Sequence, residues 1–211
     1  MENKGCQEGN TPDLHTAQLL LRKFTLEDLP AYYQLMKDPK VNRFLPWFPM
    51  ESMEEAQEHL QKRYLHSYCH PVGFRYALCL QEDNIPIGYV NISNPDSYDL
   101  GYGLRKEHWG KGYTTQGVKA VVAQAKKMGI PYITATHDID NPASGRVMEK
   151  IGMTYCYTYR ELWQPKNKLV TYRLYQLNID GNNERVYWRY WEKYPDHYIE
   201  QEVSSAKAAH V

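Results

Sequence analysis

The fold of this chain is decided by the stretch from Leu100 to Gln116, which reads Leu-Gly-Tyr-Gly-Leu-Arg-Lys-Glu-His-Trp-Gly-Lys-Gly-Tyr-Thr-Thr-Gln. Apolar residues alternate with glycines up to Leu104, which predicts a strand whose backbone another group approaches closely. Gly110 and Gly112 then form a short loop, and an apolar face with helical spacing follows until Gly129 ends it. That face consists of Val118, Val121, Val122, Ala125 and Met128. The stretch therefore predicts a strand, a glycine loop and a helix, in that order.

Such a loop is suited to holding phosphates. The first turn of a helix leaves backbone N–H groups without partners and carries partial positive charge, so it attracts anions. Glycines without a Cβ let phosphate oxygens reach those donors, which suits a pyrophosphate. Two better-known phosphate loops do not fit, because Gly112 follows Lys111 where a P-loop needs Ser or Thr, and Thr115 replaces the third glycine of a dinucleotide fingerprint. A tight turn without a ligand is the alternative.

A second motif, from Asn141 to Met153, reads Asn-Pro-Ala-Ser-Gly-Arg-Val-Met-Glu-Lys-Ile-Gly-Met. Together the two stretches closely resemble the Gcn5-related N-acetyltransferases (GNAT), a family that uses acetyl-coenzyme A. The resemblance is strongest to the RimJ/RimL-like branch, which acetylates ribosomal-protein N-termini and in which Trp-Gly-Lys-Gly-Tyr and Asn-x-x-Ser…Glu-Lys-x-Gly recur. It runs from about Leu19 to Leu177. The family's loop pattern, Gln/Arg-x-x-Gly-x-Gly/Ala, falls on residues 109–114, and its first and last residues differ here.

The resemblance implies an α/β (α+β) fold, with a twisted, mostly antiparallel central sheet, helices on both faces and a splayed pair of parallel strands. We expect that pair to begin near Leu100 and Tyr132, because a helical crossover connects the two strands. The acetyltransferase domain is expected over residues 17–180. Residues 1–16 are expected to be a flexible segment that is not a signal peptide. Residues 181–211 are expected to be an aromatic, partly helical extension.

The coenzyme site also follows from the resemblance. The strand that ends at Leu104 is implied to hydrogen-bond the pantetheine arm and the acetyl carbonyl, and Gly101 and Gly103 fit a close approach. The loop amides are implied to hold the pyrophosphate. Asn141 is implied to contact the coenzyme arm, with the N-cap of its helix as its structural role. The expected coenzyme-binding residues are Leu104, Arg105, Trp109, Gly110, Lys111, Gly112, Tyr113, Thr114, Asn141 and Ser144.

Acetyl transfer needs a proton donor for the departing thiolate. Many members of the family carry a tyrosine for this purpose in the second motif helix, and Met148 occupies that position here. In the closer branch the serine of Asn-x-x-Ser has the donor role, which implies Ser144. The alternative for Ser144 is a hydroxyl that bonds only locally in the first helical turn.

The reaction also needs a base, because a primary amine is mostly protonated at neutral pH. Glu161 is the first candidate, since the closer branch tends to place a carboxylate in this region. The alternative is a surface glutamate paired with Arg160 or Lys166. His137 and His108 are further candidates for the base.

Composition argues against several other function classes. Lys and Arg together number 25, as do Asp and Glu, so no bulk charge points to nucleic acid or membrane. No apolar run approaches the roughly 18 residues that a membrane span requires. The histidines are scattered, and we expect no metal cofactor. The cysteines form no Cys-x-x-Cys pair, which predicts reduced thiols and a cytoplasmic location; they are Cys6, Cys69, Cys79 and Cys156.

The C-terminal extension has aromatic residues at helical spacing, namely Tyr187, Tyr190, Trp191 and Tyr194. Such rings, interleaved with basic residues, can stack on nucleic-acid bases. We favour packing of this segment onto its own domain or onto a second subunit of a homodimer, because the net charge is zero.

The leading interpretation is an acetyl-coenzyme A-dependent N-acetyltransferase in which a primary amine attacks the thioester directly. The acceptor is open between a protein N-terminal amine and a small amine such as a polyamine, aminoglycoside or amino acid. We expect the acceptor groove around residues 44–50 and the C-terminal strands. The alternative class is a non-catalytic module that only binds acetyl-coenzyme A.

Overall fold

The computed structural model describes residues 11–69, 74–93 and 96–201. The helices are α1 Leu29–Lys37, α2 Met53–Arg63, α3 Tyr113–Lys127, α4 Pro142–Lys150 and α5 Arg189–Lys193. The strands are β1 Leu14–His15, β2 Leu19–Arg22, β3 Phe74–Leu80, β4 Pro86–Ile92, β5 Leu100–Leu104, β6 Tyr132–Asp138, β7 Thr154–Trp163, β8 Lys168–Asn178 and β9 His197–Tyr198. Cys6 and residues 1–10 of the expected flexible segment lie outside the described residues.

The strands form two antiparallel sheets, ordered β1-β2-β3-β4-β5 and β6-β8-β7-β9. The sheets meet where Asp99 forms a parallel bridge with Thr134, whose N–H donates to the Tyr98 carbonyl over 3.3 Å. After this bridge β5 pairs with β4 and β6 pairs with β8, so the two neighbouring strands separate. The predicted splayed parallel pair, connected through α3, is therefore confirmed.

Helices cover both faces of the first sheet, as the fold prediction requires. On one face α3 and α4 bury Val118, Val121 and Met148 against the strands, and on the other α1 and α2 form a separate core around Tyr32 and Leu60. Met128 was expected on the buried face of α3 but is 56% exposed, because it is the C-cap residue. Within the described part of the chain, no helix combines the length and apolarity needed to cross a membrane.

Two short strands near the ends of the described residues add to the sheets. β1 lies inside the segment expected to be flexible, and it pairs with β2 through Leu14 opposite Leu21. In the C-terminal extension, β9 pairs with β7. The domain boundaries stay predictions.

The aromatic extension packs onto its own domain, which confirms that interpretation. Tyr190, Trp191 and Tyr194 contact a buried cluster on β7 and β8 that includes Tyr157 and Tyr159. Helix α5 does not include all of the aromatic residues that were predicted to share a helix. Tyr187 precedes it and donates its backbone N–H to the Gln176 side chain. This polar contact fixes the approach of the chain to the sheet.

Candidate active site

A cleft of about 550 Å³ opens where β5 and β6 separate. Gly101, Tyr102 and Gly103 of β5 and the end of β6 line its centre, together with Asn141 and Ser144 at the start of α4. The loop between α1 and α2, the β7–β8 hairpin and α5 line the rest. The expected apolar loop at residues 44–50 thus contributes to the cleft.

The cleft side of β5 is an open strand edge. Among the described residues, β5 pairs with β4 on one side and is bridged on the other side only at Asp99. Its free N–H and C=O groups suit an extended ligand that adds along the edge. A Cβ on Gly101 would meet open space, whereas a Cβ on Gly103 would lie 2.6 Å from the Tyr89 ring. Gly103 is therefore needed for packing, and Gly101 leaves room in the cleft.

The glycine loop presents free backbone donors. Gly110 and Gly112 have φ angles of +77° and +81°, which favour glycine, and Gly112 is the N-cap of α3. The first helical bond runs from the Gln116 N–H to the Gly112 carbonyl over 3.0 Å. The N–H groups of residues 113–115 therefore lack a helical acceptor and, with the helix dipole, form an anion site.

The side chain of Trp109 forms a hydrogen bond within the protein. Its indole Nε1–H donates to the Leu104 carbonyl over 2.8 Å, which ties the loop to the end of β5. Of the coenzyme-binding residues predicted, Arg105 is placed away from the cleft, because it pairs with Glu107 at 2.6 Å and lines a separate depression beside α1. Lys111, which lies between the two glycines of the loop, is exposed.

Two hydroxyl groups meet in the cleft between β5 and α4. The Tyr102 hydroxyl lies 2.9 Å from Ser144 Oγ and 2.8 Å from the Ser144 carbonyl oxygen. Burial raises the pKa of Tyr102, although the bond to Ser144 opposes that shift. Asn141 occupies the N-cap position of α4, but its side chain makes no capping hydrogen bond within the described residues. Its expected position as the N-cap residue is thus confirmed, and the residue also lines the cleft.

Three carboxylates line the same cleft, on β6, on β7 and directly before β5; they are Asp138, Glu161 and Asp99. Asp99 Oδ1 is buried without a hydrogen-bond partner in the described chain. Burial raises the pKa of Asp99 from 3.8 to about 7, and Arg63 opposes this shift. Asp138 Oδ1 accepts the Asp140 N–H over 2.9 Å, whereas its Oδ2 is buried and accepts no hydrogen bond from the described residues.

Glu161 is half-buried and faces the cleft. Neither of its expected surface partners forms an ion pair with Glu161. Arg160 pairs with Asp196 over 2.9 Å, and Lys166 donates to the carbonyls of the α1–α2 loop. The surface-pair alternative for Glu161 is therefore wrong.

The two histidines lie in different places. His137 lines the cleft, but its ring packs against Tyr175 and the α4 backbone at Gly145, and burial lowers its pKa. His108 lies against Tyr113 near the glycine loop, outside the cleft lining, and burial and Lys111 lower its pKa. The described residues contain no group of three or more His, Cys, Asp or Glu arranged to hold a metal ion.

Comparison with known proteins decides the family. The model of the acetyltransferase (GNAT) domain matches residues 18–154. This chain belongs to the GNAT acetyltransferase family. The match covers every strand that forms the cleft except those of the β7–β8 hairpin beyond Thr154.

Relatives of this GNAT domain agree with that result. The uncharacterized N-acetyltransferase YoaA of Bacillus subtilis is 27% identical over 146 residues, 67% of this chain and 82% of its own length. The uncharacterized protein YkkB of Bacillus subtilis is 35% identical over 162 residues, 72% of this chain and 84% of its own length. Among solved structures, RimL, a ribosomal alpha-N-protein acetyltransferase in complex with coenzyme A, has a TM-score of 0.71 at 21% identity, covering 81% of this chain and 100% of that chain. The fold is thus that of the RimL structure.

Sequence reasoning missed three residues of this GNAT cleft: Tyr102, Asp99 and Asp138. Tyr102 stood in the first motif but was taken only as an apolar strand residue. Alternation along β5 places Asp99 on the face of Gly101 and Gly103, and this signal could have marked its carboxylate as facing the cleft.

Proposed function

We propose that this protein is an acetyl-coenzyme A-dependent N-acetyltransferase in which a primary amine attacks the thioester directly. The observation that carries the proposal is the Tyr102–Ser144 hydroxyl pair, which joins β5, the strand with the open edge, to the start of α4 in the cleft. An extended pantetheine arm fits the edge of β5, and a pyrophosphate fits the start of α3. The acceptor is a peptide N-terminus or a small amine.

The chain's own residues supply the proton transfers. A carboxylate of the cleft takes one proton from the substrate ammonium, and the neutral amine nitrogen then forms the new bond to the acetyl carbon. As the C–S bond breaks, Ser144 Oγ donates its proton to the sulfur and regains one from the nitrogen that has been acylated. The products are an N-acetyl amine, the free thiol and one proton held on the carboxylate. Tyr102 hydrogen-bonds the Ser144 hydroxyl. It thereby supplies a phenolic hydroxyl to the cleft, where Met148 stands at the position of the family's usual tyrosine.

Two carboxylates compete for the role of base. Glu161 is the expected residue, and it faces the cleft beside Tyr194. Asp99 lies directly before the proposed coenzyme strand, and its pKa of about 7 suits a base that works near neutral pH. We therefore assign the base to Asp99 and place Glu161 at the acceptor end of the cleft.

Thiol release from acetyl-coenzyme A in the presence of a panel of primary amines tests this function. We expect thiol release that depends on both the amine and the enzyme, together with calorimetric binding of acetyl-coenzyme A. Binding without thiol release for any amine would instead support the non-catalytic module. Absence of binding would overturn the coenzyme site itself.

A further inference from the structure

The acceptor end of the cleft combines aromatic walls with carboxylates. Seven rings line it, from the α1–α2 loop, β7, β8, α5 and the residue after α5: Phe44, Trp47, Tyr159, Trp163, Tyr172, Tyr190 and Tyr194. Aromatic faces attract ammonium groups through their negative quadrupole. Burial raises the pKa of Tyr172, and Glu161, Asp138 and Asp99 raise it further, so the three carboxylates converge on this ring. Carboxylates and ring faces of this kind favour a bound cation, although the Lys166 ammonium already lies over the Trp163 ring.

Two of these carboxylates each have one oxygen without a hydrogen bond from the described residues. Asp138 is only 3% exposed, and its Oδ2 accepts no hydrogen bond from these residues but forms an ion pair with the half-exposed Lys168 ammonium at 3.6 Å. Asp99 Oδ1 likewise has no partner in the described chain. Arg63 and Lys193 also line the cleft, but they contact the Trp47 and Tyr194 rings. Burying a carboxylate without a partner is costly, and a bound cation would remove that cost.

Asp99 and Asp138 lie on the same side of the two neighbouring strands at different depths. Asp99 is bridged to Thr134, and Asp138 follows Thr134 by four residues, so alternation puts both on the same side. Four strand residues span about 13 Å. This separation fits two cationic nitrogens of one linear molecule better than it fits a single amine.

One side of the acceptor end is closed by the protein. Lys166, in the β7–β8 turn, donates from Nζ to the carbonyls of Asn42 at 3.1 Å and Leu45 at 2.7 Å. The β7–β8 turn and the α1–α2 loop thereby form a continuous wall. A peptide that entered there would bring backbone N–H and C=O groups that need partners, and ring faces do not provide them.

We propose that the acceptor is a compact linear amine with two or more ammonium groups, one near Asp99 and another near Asp138. This inference rests on the proposed acetyltransferase function and names its substrate class. The amine nearer Asp99 loses its proton and receives the acetyl group, while the distal ammonium stays charged beside Asp138 and the aromatic rings.

Acceptor kinetics with the full chain test the inference. We compare spermidine and 1,8-diaminooctane, whose terminal nitrogens are equally far apart, with octylamine, which has the same chain as the diamine but one nitrogen, and with a short peptide bearing a free N-terminus. A distal charge-assisted hydrogen bond predicts that kcat/KM for the diamine exceeds that for octylamine by about ten- to a hundredfold. Equal values for the two amines, or a higher value for the peptide, would overturn the inference and leave acetyl transfer intact.

A matched pair of variants locates the distal site. In Asp138→Asn the ratio of diamine to octylamine kcat/KM is expected to fall to near one, and Asp140→Asn, an exposed neighbour outside the cleft, should keep the parent ratio. A parent-like ratio in Asp138→Asn would overturn the assignment. Calorimetry of spermidine with the protein and coenzyme A provides a readout without turnover. Spermidine binding without thiol release would overturn the catalytic function and retain the cation site, whereas absence of spermidine binding would overturn the cation site.

Discussion

The Tyr102 hydroxyl stands 2.9 Å from Ser144 Oγ and 2.8 Å from the Ser144 carbonyl oxygen, so two oxygens compete for one phenolic hydrogen. When Tyr102 donates to the carbonyl, the Ser144 hydroxyl can donate to Tyr102. When Tyr102 donates to Ser144 Oγ, the serine hydrogen is released for a ligand in the cleft. The pair thus has two hydrogen-bond arrangements, and only in the second is the Ser144 hydroxyl hydrogen directed to a ligand and not to Tyr102.

We expect Ser144→Ala to lower kcat by about ten- to a thousandfold, because general-acid catalysis contributes roughly 10²–10⁴ and water replaces part of it. Acetyl-coenzyme A affinity should change little, since the hydroxyl acts on charge that develops late in the reaction. Steady-state kinetics and a melting curve on the same variant measure both effects. Turnover within about twofold of the parent would remove Ser144 from the mechanism.

Tyr102→Phe removes the partner of the Ser144 hydroxyl and keeps the ring. We expect kcat to fall in the same direction as in Ser144→Ala, and the double variant to be no worse than the more damaging single variant, because the two hydroxyls act as a unit. Tyr33→Phe is the matched control, since it removes only an exposed bond to the Glu51 carbonyl. Additive losses in the double variant would show that the hydroxyls act independently.

Gly112→Asp should weaken acetyl-coenzyme A binding more than Gly112→Asn does. Both side chains enter open space at φ +81°, so they share the strain and nearly the same size, and they differ in charge. A carboxylate at the start of α3 repels phosphate and competes for the free amides. Calorimetry on the two folded variants measures the difference. Equal affinities would show that no phosphate lies at this helix start.

Asp99→Asn should change the pH dependence of kcat/KM, which reports groups of the free enzyme. A base must be ionised, so the parent activity should rise with pH through about 7, the pKa to which burial raises Asp99. The variant should be less active and lack that inflection, with only the ionisation of the amine remaining. A retained inflection near pH 7 would show that Asp99 is not the base.

The same substitution should stabilise the fold at high pH. The raised pKa of Asp99 means that the folded protein binds its proton more tightly than the unfolded chain does. The folded state is therefore penalised progressively as pH rises from about 4 to 7, and fully above 7. We expect the melting temperature of Asp99→Asn to exceed that of the parent at pH 8 by more than it does at pH 5. Asp140→Asn, an exposed control, should show no such trend.

The glycine loop could be predicted because its determinants are local. Gly110 and Gly112 form the predicted loop, both with a positive φ, and Gly129 follows the end of α3 as expected, also with a positive φ. The splayed strands followed from the crossover between them. These features depend on residues a few positions apart, which one sequence displays directly.

The chemistry of the cleft was less accessible to sequence reasoning. The Tyr102–Ser144 contact spans 42 positions of the chain, and the elevated pKa of Asp99 depends on burial by distant elements. Asn141 was expected to cap its helix because residue type predicts that role, yet its side chain makes no such bond in the described structure. Pairing and burial of this kind are set by tertiary packing and not by local pattern.

The open edge of β5 is also a hazard for the protein, since an unpaired strand is a template for another chain. A ligand that pairs along this edge would complete the sheet and block such contacts. It would also add to the free energy of unfolding in proportion to the logarithm of its concentration above its Kd. The concentration of coenzyme would then affect the resistance of the protein to aggregation as well as its turnover.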